Sequence, residues 1–184
     1  MMSAQSTNTA DELADTLYAL GIRFVQGGES PSLPLQYNPE YLISALAESS
    51  EARLRLALIA LFLEHPEYHV YVCAAAKKIN PSARLTLLCY YSAAVLLQNI
   101  HCLALTALLG VKPTLPHYFA HDLTLLSSED PQTAMRLLAQ RHQVMSGAQI
   151  NWLGTYNHAL QQWLAFKKGK HHEPVTEQSD SVFS

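Results

Sequence analysis

Apolar residues recur along most of this chain at helical spacing, in segments separated by short polar or proline-containing stretches. From Glu51 to Glu64 the apolar positions are nearly continuous, so a helix there must be buried on almost every side. From Leu153 to Leu164 the apolar residues form a single stripe instead, with Gln161 and Gln162 on the opposite face. Both patterns predict helices, and together they predict an all-α fold.

Three dipeptides mark helix starts, because Asn38, Asn80 and Asp130 are each followed by proline. The Asn or Asp side chain accepts a hydrogen bond from a free N–H group of the first turn. Proline fits the first helical position because it has no N–H group to leave unpaired. With these starts, the predicted helices cover Asp11–Leu20, Pro39–Glu48, Glu51–Glu64, Pro66–Ile79, Pro81–Leu109, Pro131–Ser146 and Ala148–Lys168. Residues 111–129 are predicted to form a loop with one helical turn or more.

We predict a single-domain bundle of about seven or eight helices. A short α-solenoid of helical hairpins is the alternative, because Pro39, Pro81 and Pro131 recur 42 and 50 residues apart. The segments share little beyond the cap, which favours the bundle. We expect a flexible N-terminus at residues 1–10, the helical domain at 11–168 and a disordered tail at 169–184.

The stretch from Leu85 to Val111 contains 27 residues and no Asp, Glu, Lys or Arg. Its length suffices for a membrane span. However, Gln98, Asn99 and His101 fall in its middle, where unpaired polar groups are costly in hydrocarbon. We therefore predict the central helix of a soluble bundle, in which these polar groups bond to neighbouring helices or carbonyl groups.

Composition narrows the function classes. Charged residues make up only 15% of the chain, hydrophobic residues 49%, and the net charge is −3. This balance favours a large core or a surface used for assembly, and it gives no reason to expect DNA binding. The three cysteines suggest a reducing cytoplasm, and the N-terminus shows no secretory signal. No Walker loop or G-x-G-x-x-G is present, so we expect no cofactor.

One candidate catalytic pair lies in the sequence "RLLAQRH", where Arg136 precedes His142 by six residues. This spacing resembles the Arg-x4–6-His motif of the HEPN family of small helical ribonucleases. The resemblance implies that Arg136 neutralises developing phosphate charge and that His142 transfers protons. The sequence departs from the family at Leu137, where a polar residue is usual, and after His142, where tyrosine is common. A solvent-facing helix surface is the simpler interpretation.

A candidate metal pair lies in "HYFAHD", where His117 and His121 are four residues apart with Asp122 beside the second. On a helix, both imidazoles would share one face and supply two ligands of a zinc site. Further ligands would have to come from elsewhere in the chain. Two surface histidines are the simpler interpretation.

Two segments, "YLISALAESSEARLRLALIALFLEHPEY" and "NWLGTYNHALQQW", resemble a group of uncharacterised bacterial helical proteins. The resemblance spans most of Tyr41–Trp163 and implies an all-helical fold and a protein partner. The group is associated with minimal nucleotidyltransferases, which suggests that the partner is one of those enzymes. We predict a non-catalytic helical module that forms a homo-oligomer or binds a second protein. The alternatives are a HEPN-like ribonuclease and a membrane-associated helical protein.

Overall fold

The computed structural model describes residues 10–23, 38–125 and 130–170. In this part of the chain, 76% of the residues are helical, and they form eight α-helices and no strand. The all-α prediction and the predicted number of helices are confirmed. The helices are α1 (Ala10–Ala19), α2 (Pro39–Glu48), α3 (Ala52–Glu64), α4 (His69–Lys78), α5 (Pro81–Ile100), α6 (Cys102–Leu109), α7 (Pro131–Ser146) and α8 (Trp152–Lys170), with a 3-10 turn (Pro66–Tyr68) before α4.

The three predicted cap residues begin helices as expected. The side chains of Asn38, Asn80 and Asp130 each accept a hydrogen bond from a backbone N–H in the following turn, at 2.9, 2.9 and 3.0 Å respectively. Proline follows at the first helical position in all three. The chemistry that starts α2, α5 and α7 is local, so the sequence predicts their first residues correctly.

The centre of the bundle is α5, in which every residue from Leu87 to Leu97 is buried. It packs against α2, α3 and α7. Helix α3 is the second enclosed element, with all residues from Ala57 to Leu63 buried, as its continuous apolar pattern predicts. Burying a leucine or phenylalanine side chain stabilises a fold by about 1.5–3 kcal/mol, and these two helices contribute more buried residues to the core than any other two.

Contacts between distant helices identify the architecture as a bundle. Helix α3 packs against α8, and α5 packs against α7, although both pairs are far apart in sequence. In a solenoid each unit contacts mainly its neighbours along the chain. One connected core includes buried residues from all eight helices. The single-domain bundle is therefore confirmed, and the solenoid alternative does not fit this packing.

One predicted helix is wrong. The sequence predicts a continuous helix from Pro81 to Leu109, but α5 ends at Ile100 and α6 starts at Cys102. The two helix axes meet at an angle of 89°. His101, between them, has φ −107° and ψ 22°, outside helical geometry. The stretch without charge is therefore a buried helix followed by a short perpendicular one.

The last helix differs from its prediction at both ends, because α8 begins at Trp152 rather than Ala148 and ends at Lys170 rather than Lys168. After α1, Ile22 and Arg23 lie outside the helices. Almost all of the predicted flexible N-terminus (1–10) and tail (169–184) falls outside the described residues.

Candidate interaction surface and ligand cleft

The bend between α5 and α6 is accompanied by a side-chain clamp on the loop that follows α6. Gln98 Nε2 donates a hydrogen bond to the carbonyl oxygen of Pro113 at 2.9 Å, and Gln98 Oε1 accepts one from the backbone N–H of Leu115 at 2.8 Å. The side-chain amide of Asn99 lies 3.5 Å from His117 Nε2. Gln98, in the middle of the uncharged stretch, thus bonds to backbone atoms of this loop. This agrees with the prediction of a core helix whose polar groups bond to nearby groups of the protein.

Helix α6 leaves most of its apolar side chains exposed. Only Leu105 is buried, and it faces the core. Leu103 is 87% exposed, and Val111, just beyond the helix, is 91% exposed. Cys102, Ala104, Thr106 and Ala107 are exposed as well. Within α6, Leu103, Thr106 and Ala107 follow the three- and four-residue spacing of one helix face. We call these three residues, together with Val111 just beyond the helix, the α6 stripe.

Helix α6 ends at a glycine with a positive φ, and the exposed Val111 follows it. Gly110 has a φ of +76°, a conformation that costs residues with a side chain but not glycine. Its backbone N–H donates to the carbonyl of Thr106 at 2.9 Å. Two residues later, Lys112 Nζ donates to the carbonyl of Glu64 at 3.1 Å and ties the segment to the end of α3. The stripe is therefore held on a fixed support.

His142 lies at the centre of a buried aromatic cluster. It is 2% exposed, and its Nδ1 forms a hydrogen bond with the hydroxyl of Tyr156 at 2.7 Å. Its ring stacks on Trp152 with ring centroids 3.5 Å apart and meets the edge of Tyr90 at 5.9 Å. Removal from water disfavours the charged imidazolium, so burial lowers the pKa of His142 to about 4.

A large cleft opens beside this cluster, with a volume of about 720 Å³. The turn between α2 and α3, the first turns of α5, the end of α7 and the start of α8 form its walls. We call it the α5–α7 cleft. Its size falls within the range of small-molecule sites. Its chemically informative lining residues are Arg55, Tyr90, His142, Trp152, Glu48 and Met145.

The structure does not bring the predicted catalytic pair to one site. Arg136 is exposed and lines a separate groove of about 230 Å³, whereas His142 lines the α5–α7 cleft. Trp152 borders both and stands between them. A proton-transfer histidine works best with a pKa near the working pH. Burial moves the pKa of His142 away from it, so the geometry adds no support to the ribonuclease interpretation, which stays a prediction.

The predicted metal pair lies on the segment between α6 and α7, where His117 and His121 are both exposed. This segment forms turns rather than a regular helix, and the backbone N–H of Leu123 bonds to the carbonyl of Phe119 at 3.0 Å. Within the described ranges, no group of three or more His, Cys, Asp or Glu side chains has the geometry to hold a metal ion. The two histidines thus have no third ligand there.

Comparison with protein-family models, with curated proteins and with solved structures finds no match to this chain. The resemblances to HEPN ribonucleases and to the uncharacterised helical group stay predictions. Across residues 10–23, 38–125 and 130–170, no single helix has both the length and the apolarity for a membrane span. Helices α5 and α6 meet that criterion only as a bent pair.

Sequence reasoning missed both surfaces. The low charge content predicts an exposed apolar surface somewhere, but α6 becomes that surface only because the chain bends at His101. The α5–α7 cleft joins Arg55 and Trp152, nearly a hundred residues apart in the chain, and no local motif links them. One usable signal was present, since the polar residues Gln98, Asn99 and His101 mark the position of the bend.

Proposed function

We propose that this chain is a non-catalytic helical assembly module that pairs with a second copy of itself through the α6 stripe. The observation that carries the proposal is the exposure of Leu103 on α6, at 87%, and of Val111 just beyond the end of that helix, at 91%. Apolar side chains that lie together on a surface mark interaction sites. Isolated exposed apolar residues are common, but here Leu103 and Val111 belong to one short segment in which Cys102, Ala104 and Ala107 are exposed as well.

A second copy is the occupant that fits the chemistry of the surface. The stretch from Leu85 to Val111 contains no charged residue, so the stripe offers no charge for an oppositely charged partner to complement. An uncharged apolar face is complementary to itself. Two-fold dimers use the same patch on both subunits and are the commonest protein assemblies. The small side chains of Thr106 and Ala107 let two α6 helices approach closely.

The burial energy of the stripe is large enough to matter. Covering Leu103 would contribute about 1.5–3 kcal/mol in each subunit, and Val111 about as much. Because each residue appears twice in a symmetric dimer, one substitution removes both contributions. Replacing Leu103 with a polar residue of similar size should therefore raise the dissociation constant at least about a hundredfold.

Cross-linking through Cys102 tests the proposal. Cys102 is exposed at the start of α6, Cys73 is exposed on α4, and Cys89 is buried. In the Cys73→Ser background, Cys102 is the remaining exposed thiol among these three. Two antiparallel α6 helices at ordinary packing distance place their Cys102 side chains roughly 15 Å apart. A bismaleimide of that length should give covalent dimers in high yield.

The matched variants are Leu103→Gln and Val144→Gln in the same background. Val144 is 76% exposed, but it lies in the last turn of α7. That turn packs beside the start of α5, whereas α6 follows its end. The Leu103 variant should lose the cross-link and the Val144 variant should keep it. Equal cross-linking in both variants would contradict the proposal. Recovery of one chain bound to a different protein, such as a nucleotidyltransferase, would replace it with a hetero-complex.

A further inference from the structure

Several hydrogen-bond donors line the α5–α7 cleft. Arg55, Tyr90 and Trp152 all line it, and each has at least one donor with no hydrogen-bond partner among the described residues. The cleft is also aromatic on one side, because Trp152, His142 and Tyr90 contact one another there. Donors that open into a cleft and bond to no protein group there are free to bond an acceptor on a ligand.

Arg55 is anchored by one end of its guanidinium group. Its Nη1 donates to the carbonyl oxygens of Ser49 and Ser50 at 2.7 and 2.9 Å. No ion pair involves Arg55 in the described part of the chain, and its Nε and Nη2 donors have no protein partner there. That edge of the guanidinium matches the two oxygens of a carboxylate. Anchoring Nη1 fixes the guanidinium before a ligand arrives, which reduces the entropy lost on binding.

Tyr90 is the most informative lining residue. Its side chain is 4% exposed, yet its hydroxyl group makes no hydrogen bond within the described residues. Burial raises the pKa of Tyr90 to about 12, with the nearby charge of Arg55 acting in the opposite direction. The hydroxyl therefore keeps its proton at neutral pH and remains a donor. The Tyr90 hydroxyl is not among the fully buried polar atoms of the described residues, so it reaches the cleft beside Arg55 and can donate to an anionic acceptor there.

Trp152 supplies the third donor and the apolar wall. Its Nε1 is buried and has no hydrogen-bond partner among the residues that the structure describes. Its ring stacks on His142 and meets the edge of Tyr90 with centroids 6.5 Å apart. Ring edges and faces of this kind favour contact with another planar ring. Met145 and Ile150 extend the apolar lining toward the solvent.

The charges at the cleft favour a ligand with a single negative charge. Among the described residues that line it, Arg55 is the one cation and Glu48 the one acid. Glu48 accepts bonds from the backbone N–H and the side-chain amide of Asn80 at 3.4 and 3.3 Å. A dianion would face one cation and one carboxylate. A monoanion can pair with Arg55 and leave the bonds of Glu48 in place.

We infer that the α5–α7 cleft binds a small planar aromatic monocarboxylate, with its carboxylate on Arg55 and Tyr90 and its ring against the Trp152 wall. This site is separate from the α6 stripe and does not depend on it. Binding involves no chemical step. The ligand accepts hydrogen bonds from donors that have no partner in the described residues.

Titration of the full chain with benzoate and with 2-naphthoate, followed by NMR of the tryptophan indole N–H groups, tests the inference. The chain has two tryptophans, and Trp163 is buried in the core, away from the cleft lining. At least one of the two acids should shift the Trp152 signal saturably and leave the Trp163 signal in place. Benzamide has the same ring without the charge and should bind at least about tenfold more weakly. If neither acid gave a saturable shift, or if benzamide bound as tightly as the acids, the inference would be overturned.

Variants separate recognition from folding. Tyr90→Phe removes only the hydroxyl group and should weaken binding about fivefold. Arg55→Gln should weaken it at least about tenfold, because a charge-assisted bond is lost. Arg84→Gln is the matched control, since Arg84 is exposed on the first turn of α5 and does not line the cleft. Unchanged affinity in the Tyr90 variant and in a folded Arg55 variant would overturn the assignment. Wild-type indole signals in the free variants establish that each is folded.

Discussion

The buried histidine makes stability depend on pH in a defined direction. His142 is 2% exposed and burial lowers its pKa from the ordinary value of 6.5 to about 4. When the chain unfolds, the imidazole returns to water and its pKa rises. Between these two values the unfolded chain binds more protons than the folded one. The free energy of unfolding must therefore fall as the pH is lowered from about 7 toward 4.

The size of the effect follows from the two pKa values. Lowering the pH from about 7.5 to about 5 should remove about 2 kcal/mol of stability through His142 alone. The full loss, reached below pH ~4, should approach 3 kcal/mol. A single domain has only about 5–15 kcal/mol of net stability, so the effect is easily measured.

Urea unfolding at these two pH values, followed by tryptophan fluorescence, measures the loss directly. His142→Asn removes the titrating ring, so its pH dependence should be smaller than that of the wild type by about 2 kcal/mol. His158→Asn replaces an exposed histidine on α8 and should keep the wild-type dependence. If His142→Asn and the wild type lost the same stability between the two pH values, the reasoning from burial would be refuted.

Three further substitutions test local parts of the fold by the same unfolding assay. Gln98→Ala removes both hydrogen bonds to the loop after α6 and should lower the free energy of unfolding by about 1–3 kcal/mol, because it leaves the part-buried N–H of Leu115 without its acceptor. An unchanged free energy of unfolding would show that these bonds contribute nothing. Asp130→Ala removes the cap of α7 and should cost about 1 kcal/mol. Gly147→Ala places a side chain at a φ of +68° and should cost about 1 kcal/mol, although nothing lies within 4 Å of the added methyl group. Full wild-type stability in either of the last two would contradict the assigned helix-end geometry.

Helix starts could be read from the sequence because the interactions that make them are local. Asn38, Asn80 and Asp130 bond within three residues of their own positions, and proline follows each. The burial of α3 on nearly all sides could also be predicted, since its continuous apolar run leaves no polar face for solvent. These features need only neighbouring residues to determine them.

The bend at His101 could not be read in the same way. Neither proline nor glycine lies between Arg84 and Leu109, so neither of the residues that usually break a helix ends this one, and its polar residues are the one local sign of the bend. The interactions seen there are long-range, because Gln98 bonds to residues 15 and 17 positions away. The exposure of the α6 stripe follows from this bend. The surface on which the proposed function depends therefore arises from tertiary contacts.

The α5–α7 cleft is non-local for the same reason. Tyr90 reads as one apolar aromatic residue in a core helix, and its unpaired hydroxyl becomes visible only when Arg55 and Trp152 lie beside it. In the sequence, the spacing of Arg136 and His142 resembles a ribonuclease motif. In the structure the two side chains line different grooves, and His142 belongs to an aromatic cluster.

Sedimentation equilibrium of the full-length chain tests the central claim most directly. Across roughly 1 to 100 µM, the account predicts that the mass rises from that of one 20.4 kDa chain toward twice that value. The Leu103→Gln variant should stay at the single-chain mass throughout, and Val144→Gln should follow the wild type. A wild-type chain that remains at 20.4 kDa at every concentration, or a Leu103 variant that dimerises as the wild type does, would contradict assembly through α6.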